Sequence, residues 1–158
     1  MDILRSHPAV APTCRLVWEA VVDIDDRVDL GKGPYGGRAM IGILGGSFVG
    51  APGFEEFHGT VLPGGADRQL MRPDGAKELD ALYEMQVHDG SVLTIRNRVV
   101  IDETGPGPRY ALSRIQVTAP QGRWDWLNRR LFIGTLNSAR PVRAAVIIRG
   151  WLAEQPEA

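Results

Sequence analysis

The chain of 158 residues is 44% apolar and 23% charged, a composition typical of globular proteins that excludes a disordered or fibrous chain. Eighteen basic and nineteen acidic residues leave a net charge of −1. Because no long-range field then attracts nucleic acid or anionic lipid, we expect neither as a partner.

Cysteine content and the N-terminal segment bear on the compartment. Cys14 is the only cysteine, so an internal disulfide is excluded and an oxidising compartment is not indicated. Residues 1–12 lack the apolar run of a secretory signal peptide, and no segment reaches the roughly 18 apolar residues of a membrane helix. We predict a cytoplasmic protein without membrane association, folded as one domain over residues 1–158 with its core at about 14–153.

Glycine and proline divide the chain into short segments. Nineteen glycines and eleven prolines separate stretches rich in β-branched, leucine and aromatic residues, a pattern typical of antiparallel β proteins. The predicted strands cover residues 14–24, 38–48, 56–62, 67–72, 80–88, 91–101, 108–118, 130–135 and 141–153. Only residues 122–130 suit a short helical turn.

The first predicted strand is apolar on both faces between residues 16 and 22, except at Glu19. This carboxylate is therefore expected to be either paired in the interior or placed at a ligand cavity. A strand with two apolar faces suits a small barrel whose outside is partly covered, and we expect a homodimer. Eight or nine strands close a barrel that is filled by side chains or holds one small ligand. The predicted fold is all-β, a single antiparallel β-barrel, with a β-sandwich as the alternative.

Asp89-Gly90 is the strongest local turn signal. Asp-Gly readily adopts the positive φ values of a two-residue type I′ turn, so the strands on either side are predicted to form a hairpin. Alternation along the first of these strands places Tyr83, Met85 and Val87 on the buried face and His88 in solvent.

Motifs for nucleotide, metal or covalent chemistry are absent or out of context. Residues 31–36 match the spacing G-x-G-x-x-G, but a predicted strand follows where a nucleotide site needs a helix. His7, His58 and His88 are far apart and lack the spacing of metal ligands. Cys14 has no activating histidine in sequence, and no G-x-S-x-G element occurs. We expect no metal and no cofactor.

Residues 123–130 interleave tryptophan with arginine. Such a segment can stack on single-stranded nucleic acid, but the near-neutral charge of the chain argues against that role. We expect Trp126 and Leu127 to plug one end of the barrel, with the arginines in water, and Trp126 also to line a ligand pocket.

Glycine-rich segments occur in order at residues 36–38, 45–50 and 59–67. Further elements are Asp74-Gly75, Leu79-Asp80, Tyr83, Asp89-Gly90, Trp126-Leu127-Asn128 and Phe132-Ile133-Gly134. In order and spacing, these elements resemble the family known as domain of unknown function 3237, over about residues 16–152. The resemblance implies a small lipocalin-like or calycin-like β-barrel found in bacteria and fungi, usually without an assigned reaction.

Asp67 is the first candidate for a site residue. In the family an aromatic residue often follows this aspartate, whereas here Arg68 does, which changes the expected shape of a pocket at this point. Asp67 follows Pro63-Gly64-Gly65, a sharp turn able to fix a carboxylate at a barrel mouth. The alternative is that Asp67 caps this turn by accepting backbone N–H bonds.

One functional hypothesis is a cofactor-independent enzyme, an isomerase, lyase, cyclase or hydrolase, that moves protons on a small organic substrate inside the barrel. Asp67 or Glu19, with a pKa raised by desolvation, would act as general acid or base. Tyr83 would donate a proton or a hydrogen bond.

Arg38, Trp126 and His58 are the candidate substrate-binding residues. Arg38 would hold a substrate carboxylate or stabilise a developing oxyanion, and Trp126 would form an apolar wall. This mechanism requires Arg38, Asp67 and Tyr83 to meet in one cavity.

Two other functions are compatible with the same residues. A non-catalytic barrel would carry a small hydrophobic molecule in the cavity without acid–base chemistry. A filled barrel would serve only as an interaction module, and it predicts that no ligand-sized cavity exists.

Overall fold

A computed structural model describes residues 2–156 of the chain. The strands are β1 (Thr13–Gly33), β2 (Gly36–Gly50), β3 (Gly59–Val61), β4 (Ala66–Met71), β5 (Lys77–Val87), β6 (Val92–Asp102), β7 (Tyr110–Thr118), β8 (Phe132–Ser138) and β9 (Ala145–Glu154). Helix α1 (Asp2–Ser6) precedes them, and a 3-10 helix (Asp125–Arg129) connects β7 to β8. No helix between residues 2 and 156 has the length and apolarity to cross a bilayer.

The strands form one antiparallel sheet that closes on itself. Their order is β1-β9-β8-β7-β6-β5-β3-β2-β4, and β1 also pairs with β2. Both β3 and β4 lie between β2 and β5, so these two strands share one position in the ring. The barrel therefore has eight strand positions, a number whose interior is filled by side chains or holds one small ligand. The predicted antiparallel β-barrel is confirmed, and the sandwich is excluded.

Pro63 and Gly64 form a turn, as predicted from the sequence, but this turn lies within the shared β3–β4 position. Hydrogen bonds continue past it on both sides, since Leu62 N–H donates to Glu84 O and Ile43 N–H donates to Gly65 O, each at 2.9 Å. The segment is a bulge in one strand of the wall. It therefore places Asp67 in the barrel wall rather than on a free loop.

One end of the barrel is closed by an aromatic plug, which consists of Trp18, Phe48, Phe57, Trp124, Leu127 and Phe132, all buried. The Phe57 ring lies 5.8 Å from the Trp18 ring and 5.1 Å from the Trp124 ring. Asn128 holds the 3-10 helix over this end, because its side-chain amide accepts a bond from Ala119 N–H (2.7 Å) and donates one to Ala119 O (3.0 Å). The plug expected from Trp126 and Leu127 is present, with Trp126 packed against its buried members.

The β5–β6 hairpin is present, but its turn differs from the prediction. Tyr83, Met85 and Val87 are buried and His88 is exposed, as alternation predicts. Gly90 has φ +92°, whereas no non-glycine residue of the described chain has a positive φ, which excludes type I′. Gly90 N–H donates to Val87 O and Val87 N–H donates to Ser91 O, each at 2.8 Å. The loop therefore has three residues and ends in a glycine bulge.

Strand β1 extends well beyond its predicted end at residue 24 and forms a long hairpin with β2. Pro34 and Tyr35 make the turn, so the G-x-G-x-x-G segment enters a strand, as predicted, and not the helix of a nucleotide site. Beyond Ile24, which donates its N–H to Ala144 O, β1 pairs with β2 alone among the described strands. Its outer edge over residues 25–33 is thus an exposed sheet edge.

Candidate functional site

The end of the barrel opposite the plug encloses a cavity of about 110 Å³. Its fourteen lining residues come from every strand position of the ring except β7, and ten of them are apolar, mostly valine, isoleucine and leucine. Four polar side chains interrupt this lining: Asp67, Gln69, Tyr83 and Asn97. Asp67 is the one ionisable carboxyl among them, and no arginine, lysine or histidine lines the cavity.

The sheet register explains why the cavity exists where it does. Asp67 on β4 pairs with Ala81 on β5, and Ala81 pairs with Asn97 on β6. The Asp67 and Asn97 side chains therefore stand in one row, two strand spacings or roughly 10 Å apart at their backbones. Because the residue between them is alanine, the space in the middle of the row is left open. Tyr83 lies two residues further along β5 on the same inward face.

A close backbone contact supports Tyr83 from the neighbouring bulge. A Cβ added to Gly65 would lie 2.5 Å from Tyr83 Cβ and 2.6 Å from Leu82 O. Only glycine allows the β3–β4 segment to pass this close to β5. The glycine-rich element noted in the sequence is thus part of the wall that positions the Tyr83 ring.

Three polar atoms around the cavity lack a protein partner. Asp67 Oδ1, Tyr83 OH and Asn97 Oδ1 are all buried and without a hydrogen bond to any residue of the described chain. Tyr83 and Asn97 are each only 2% exposed. Two further atoms of this kind, Trp18 Nε1 and Ser113 Oγ, lie elsewhere in the interior. A buried polar atom without a partner costs about 1–3 kcal/mol, so grouping three of them at one cavity favours a polar occupant.

The Asp67 carboxyl is the titratable group of the cavity. Burial raises its pKa above the ordinary value for aspartate, and a nearby negative charge on Asp80 acts in the same direction. A hydrogen bond that Gln69 Nε2 donates to Asp67 Oδ2 (3.0 Å), the backbone N–H of Asp80 and the positive charge of Lys77 partly oppose this shift. Asp67 thus accepts a hydrogen bond from the Gln69 side chain, whereas the alternative predicted from the sequence was that it accepts backbone N–H bonds of the Pro63-Gly64-Gly65 turn.

Tyr83 remains a neutral hydroxyl at ordinary pH. Complete burial of its ring and OH raises the pKa of the phenol. Its hydroxyl can therefore donate one hydrogen bond and accept others. The Asn97 amide adds a carbonyl acceptor and NH₂ donors, so both residues can pair with a group that donates and accepts at once.

Arg38 and Glu19 are not brought to this cavity. Arg38 lies on the outer face of β2, where its Nη2 donates to Leu30 O (2.9 Å) within the β1–β2 hairpin. Glu19 lies neither in the interior nor at the cavity, the two predicted environments, but on the outside of the barrel, where it accepts a bond from Arg149 Nε at 2.6 Å. The predicted meeting of Arg38 with Asp67 and Tyr83 therefore does not occur, while Asp67 and Tyr83 do share the cavity.

His58 and Trp126 lie at the plugged end. The His58 ring stacks on the His88 ring with centroids 4.3 Å apart, and His88 Nε2 is 3.3 Å from Glu56. Trp126 stacks on Phe54 at 6.0 Å. Neither His58 nor Trp126 lines the cavity.

Asn97 and Gln69 line the cavity but are not among the site residues predicted from the sequence. A signal for Asn97 was available: it interrupts an otherwise apolar inward series on β6, which runs Leu93, Ile95, Asn97, Val99 and Ile101. A polar residue at an inward strand position is a candidate for a site because burial without a partner is costly. Gln69 is likewise a polar residue at an inward strand position, two residues after Asp67 on β4.

The fold and cavity define a small closed antiparallel β-barrel with a mostly apolar cavity at one end. The model of the family described as "Protein of unknown function (DUF3237)" matches residues 12–152. The chain therefore belongs to this family, as the order of its glycine-rich elements implied.

Two relatives illustrate the match in sequence. A UPF0311 protein of Rhodopseudomonas palustris is 30% identical over 134 residues, covering 77% of this chain and 85% of the relative. A UPF0311 protein of Clostridium acetobutylicum is 37% identical over 91 residues, and this match spans about half of each chain, 55% in both cases.

Solved structures share the barrel. A protein of Acinetobacter baumannii described as β-barrel like superposes with a TM-score of 0.79 at 20% identity, covering 94% of this chain and 99% of the other. A protein of Penicillium herquei described as an enzyme gives a TM-score of 0.71 at 19% identity, covering 93% and 98% of the two chains. At these identities the likeness establishes the fold alone.

Proposed function

We propose that the protein is a cofactor-independent acid–base enzyme that transfers a proton on a small organic molecule bound in the cavity, with Asp67 as the general acid or base. One observation carries this proposal: a carboxyl with a raised pKa faces an apolar cavity together with two buried polar groups that have no protein partner. A raised carboxyl pKa moves toward the working pH, where proton transfer in both directions is efficient.

Each polar group has a role in such a step. Ionised Asp67 would take a proton from carbon next to a carbonyl, which converts a ketone into its enolate. Tyr83 OH and the Asn97 amide would donate hydrogen bonds to the oxygen on which negative charge develops. Return of the proton from Asp67 to the enolate oxygen or to another carbon would complete an isomerisation.

The fold supports a catalytic use without specifying the reaction. The Penicillium herquei protein described as an enzyme has the same barrel, so this architecture is able to hold an active site. Fold likeness alone does not transfer an activity. In this chain the cavity residues themselves support the proposed activity.

Deuterium exchange into cyclopentanone tests the proposal. Wild-type protein in D₂O is expected to accelerate exchange at the carbons next to the carbonyl, followed by NMR. Asp67→Asn should slow the catalysed exchange by about a hundredfold or more, the usual contribution of a general base. Asp102→Asn changes an exposed carboxylate at the C-terminal end of β6 that does not line the cavity, and it should leave the exchange rate unchanged.

A carrier of small apolar molecules is the second candidate, because ten of the fourteen lining residues are apolar. It predicts that cyclopentanone binds, as seen by chemical-shift changes of cavity amides, while wild-type exchange stays at the rate of buffer. That result would refute the proposed enzymatic activity, and it would support the cavity as a binding site.

A further inference from the structure

We infer that the cavity selects an uncharged ligand whose hydroxyl group is attached to a small apolar body, and that it rejects carboxylates and ammonium ions of the same size. This inference rests on the proposed function in taking the cavity as the ligand site. It adds a preference for a hydroxyl group, which a ketone substrate acquires when the proton returns to the enolate oxygen and which a hydroxy ketone carries from the start. The sequence hypothesis of a carboxylate held by Arg38 is thereby replaced.

Charge excludes an anionic ligand. No cationic side chain lines the cavity, and Asp67 supplies the one carboxyl group there. The charge of Lys77 lowers the pKa of Asp67 slightly. Lys77 lies two residues before Leu79 on β5, however, and is not part of the lining. A carboxylate would thus enter a mostly apolar space beside a second carboxyl, where neither charge is compensated.

Hydrogen-bonding capacity excludes an ammonium ligand. An ammonium group only donates, so it would satisfy Asp67 Oδ1 and Asn97 Oδ1 but leave the proton of Tyr83 OH without an acceptor. Pairing an ammonium ion with one carboxylate in an apolar cavity also incurs a desolvation cost that commonly exceeds the Coulomb attraction.

A hydroxyl meets both demands. It donates to a carboxylate or amide oxygen and accepts from Tyr83 or from the amide NH₂. The size of the cavity limits the apolar body, since about 110 Å³ is somewhat less than the roughly 150 Å³ of an engineered cavity that holds benzene. A five-membered carbocycle is a suitable probe for a space of this size.

Three matched probes test the selectivity: cyclopentanol, cyclopentylamine as its ammonium ion, and cyclopentanecarboxylate. Binding to the full chain is measured at pH 7 by NMR titration of cavity amides. We expect cyclopentanol to bind at least about tenfold more tightly than either charged probe, the scale of one unsatisfied buried hydrogen-bonding group. Equal or tighter binding of the ammonium ion or the carboxylate, or absence of cyclopentanol binding, would overturn the inference.

Two variants locate the binding to this cavity. Asn97→Leu is close in volume and should weaken cyclopentanol binding about tenfold, whereas Asn137→Leu on the outer face of β8 should leave it unchanged. Ala81→Leu fills the middle of the row between Asp67 and Asn97 and should abolish binding of all three probes. Thermal unfolding verifies that each variant is folded, and retained cyclopentanol binding by folded Ala81→Leu would contradict the inference.

The outcomes separate this inference from the proposed function. Cyclopentanol has no acidic C–H next to a carbonyl, so its binding is measured without any reaction. Selective binding of cyclopentanol without exchange into cyclopentanone would refute the enzyme and keep the ligand class. Exchange catalysed by Asp67 together with tighter binding of a charged probe would support the enzyme and refute the ligand class.

Discussion

Asp67 holds a carboxyl group in a cavity whose other walls are mostly apolar, and burial raises its pKa. Between the unfolded pKa of about 3.9 and the raised pKa of the folded state, the folded protein binds the proton more tightly than the unfolded chain does. The stability contributed by this group therefore falls as pH rises through that window. Above the window, the ionised carboxylate lowers the free energy of unfolding by about 1.4 kcal/mol for each unit by which its pKa is raised.

Asp67→Asn should consequently be more stable than wild type at pH 7, with the difference disappearing near pH 3. Urea denaturation at several pH values measures this difference. Asp102→Asn is the matched control, for which a change in the opposite direction is expected. Hydrogen bonds from Thr104 lower the pKa of Asp102, so removal of this carboxylate should lower the free energy of unfolding at pH 7. A destabilised Asp67→Asn would instead assign this residue a structural role.

Tyr83→Phe removes a buried hydroxyl that has no partner in the described chain. Since the apolar ring stays in place, we expect the free energy of unfolding to remain unchanged or to rise by up to about 1 kcal/mol, together with weaker cyclopentanol binding. Denaturant midpoints and the NMR titration measure the two effects. A loss of more than about 2 kcal/mol would indicate an internal partner for this hydroxyl.

At the residue scale, the face of the sheet on which a side chain lies was easier to predict in regular strands than in irregular ones. Tyr83 is buried as predicted because β5 keeps strict alternation across the whole hairpin. Glu19 was harder to place because the β1–β9 register shifts between Leu16 and Trp18, and a shift of one residue reverses which face a side chain takes. Asn97 was visible as a polar interruption, but assigning it to a cavity required the register with Ala81 and Asp67.

The β3–β4 segment is an element whose shape depends on glycine. Gly65→Ala would place a Cβ 2.5 Å from Tyr83 Cβ, and relieving this contact would displace the wall beside the cavity. We expect a loss of about 1–3 kcal/mol in the free energy of unfolding, typical of overpacking, and weaker cyclopentanol binding.

Gly105→Ala is the control for that substitution. Nothing lies within 4 Å of a Cβ at Gly105, and its φ is outside the left-handed region. It should therefore leave both the free energy of unfolding and probe binding nearly unchanged. An equal effect of the two substitutions would show that close packing at Gly65 is not the cause.

Element boundaries were predictable where turn chemistry is local and less so where pairing is long-range. Glycine and proline punctuation located nine strands, because those residues interrupt β structure wherever they occur. The merging of β3 and β4 into one wall position depends on both β2 and β5, which no local pattern encodes. The extension of β1 to Gly33 likewise depends on its pairing with β2.

The exposed edge of β1 over residues 25–33 is protected against pairing with other chains. Its register with β2 shifts between Ile24 and Arg27 and again between Asp29 and Gly31. Asp25 and Asp29 accept hydrogen bonds from the backbone N–H groups of Asp26 and Gly31 (2.8 Å each). Bulges, charges and occupied N–H groups are the usual means by which a sheet edge avoids aggregation.

The whole molecule divides its interior between the aromatic plug and the cavity, and stability should be distributed unequally between them. Phe57 is 1% exposed and contacts aromatic rings on several sides, so Phe57→Ala should cost about 3–5 kcal/mol. Leu79 already borders open space, so Leu79→Ala should cost less than half as much. Urea denaturation of both variants checks the ratio, and similar losses would show that the cavity end contributes equally to the core.

This division has a consequence for how the family diversifies. If the plug supplies most of the packing, as the Phe57→Ala and Leu79→Ala pair tests, then substitutions around Ala81 should reshape the cavity with little loss of stability. The fold and the choice of ligand are then set by different residues. Two members with the same architecture need not share a ligand, and each must have its chemistry determined from its own inward-facing side chains.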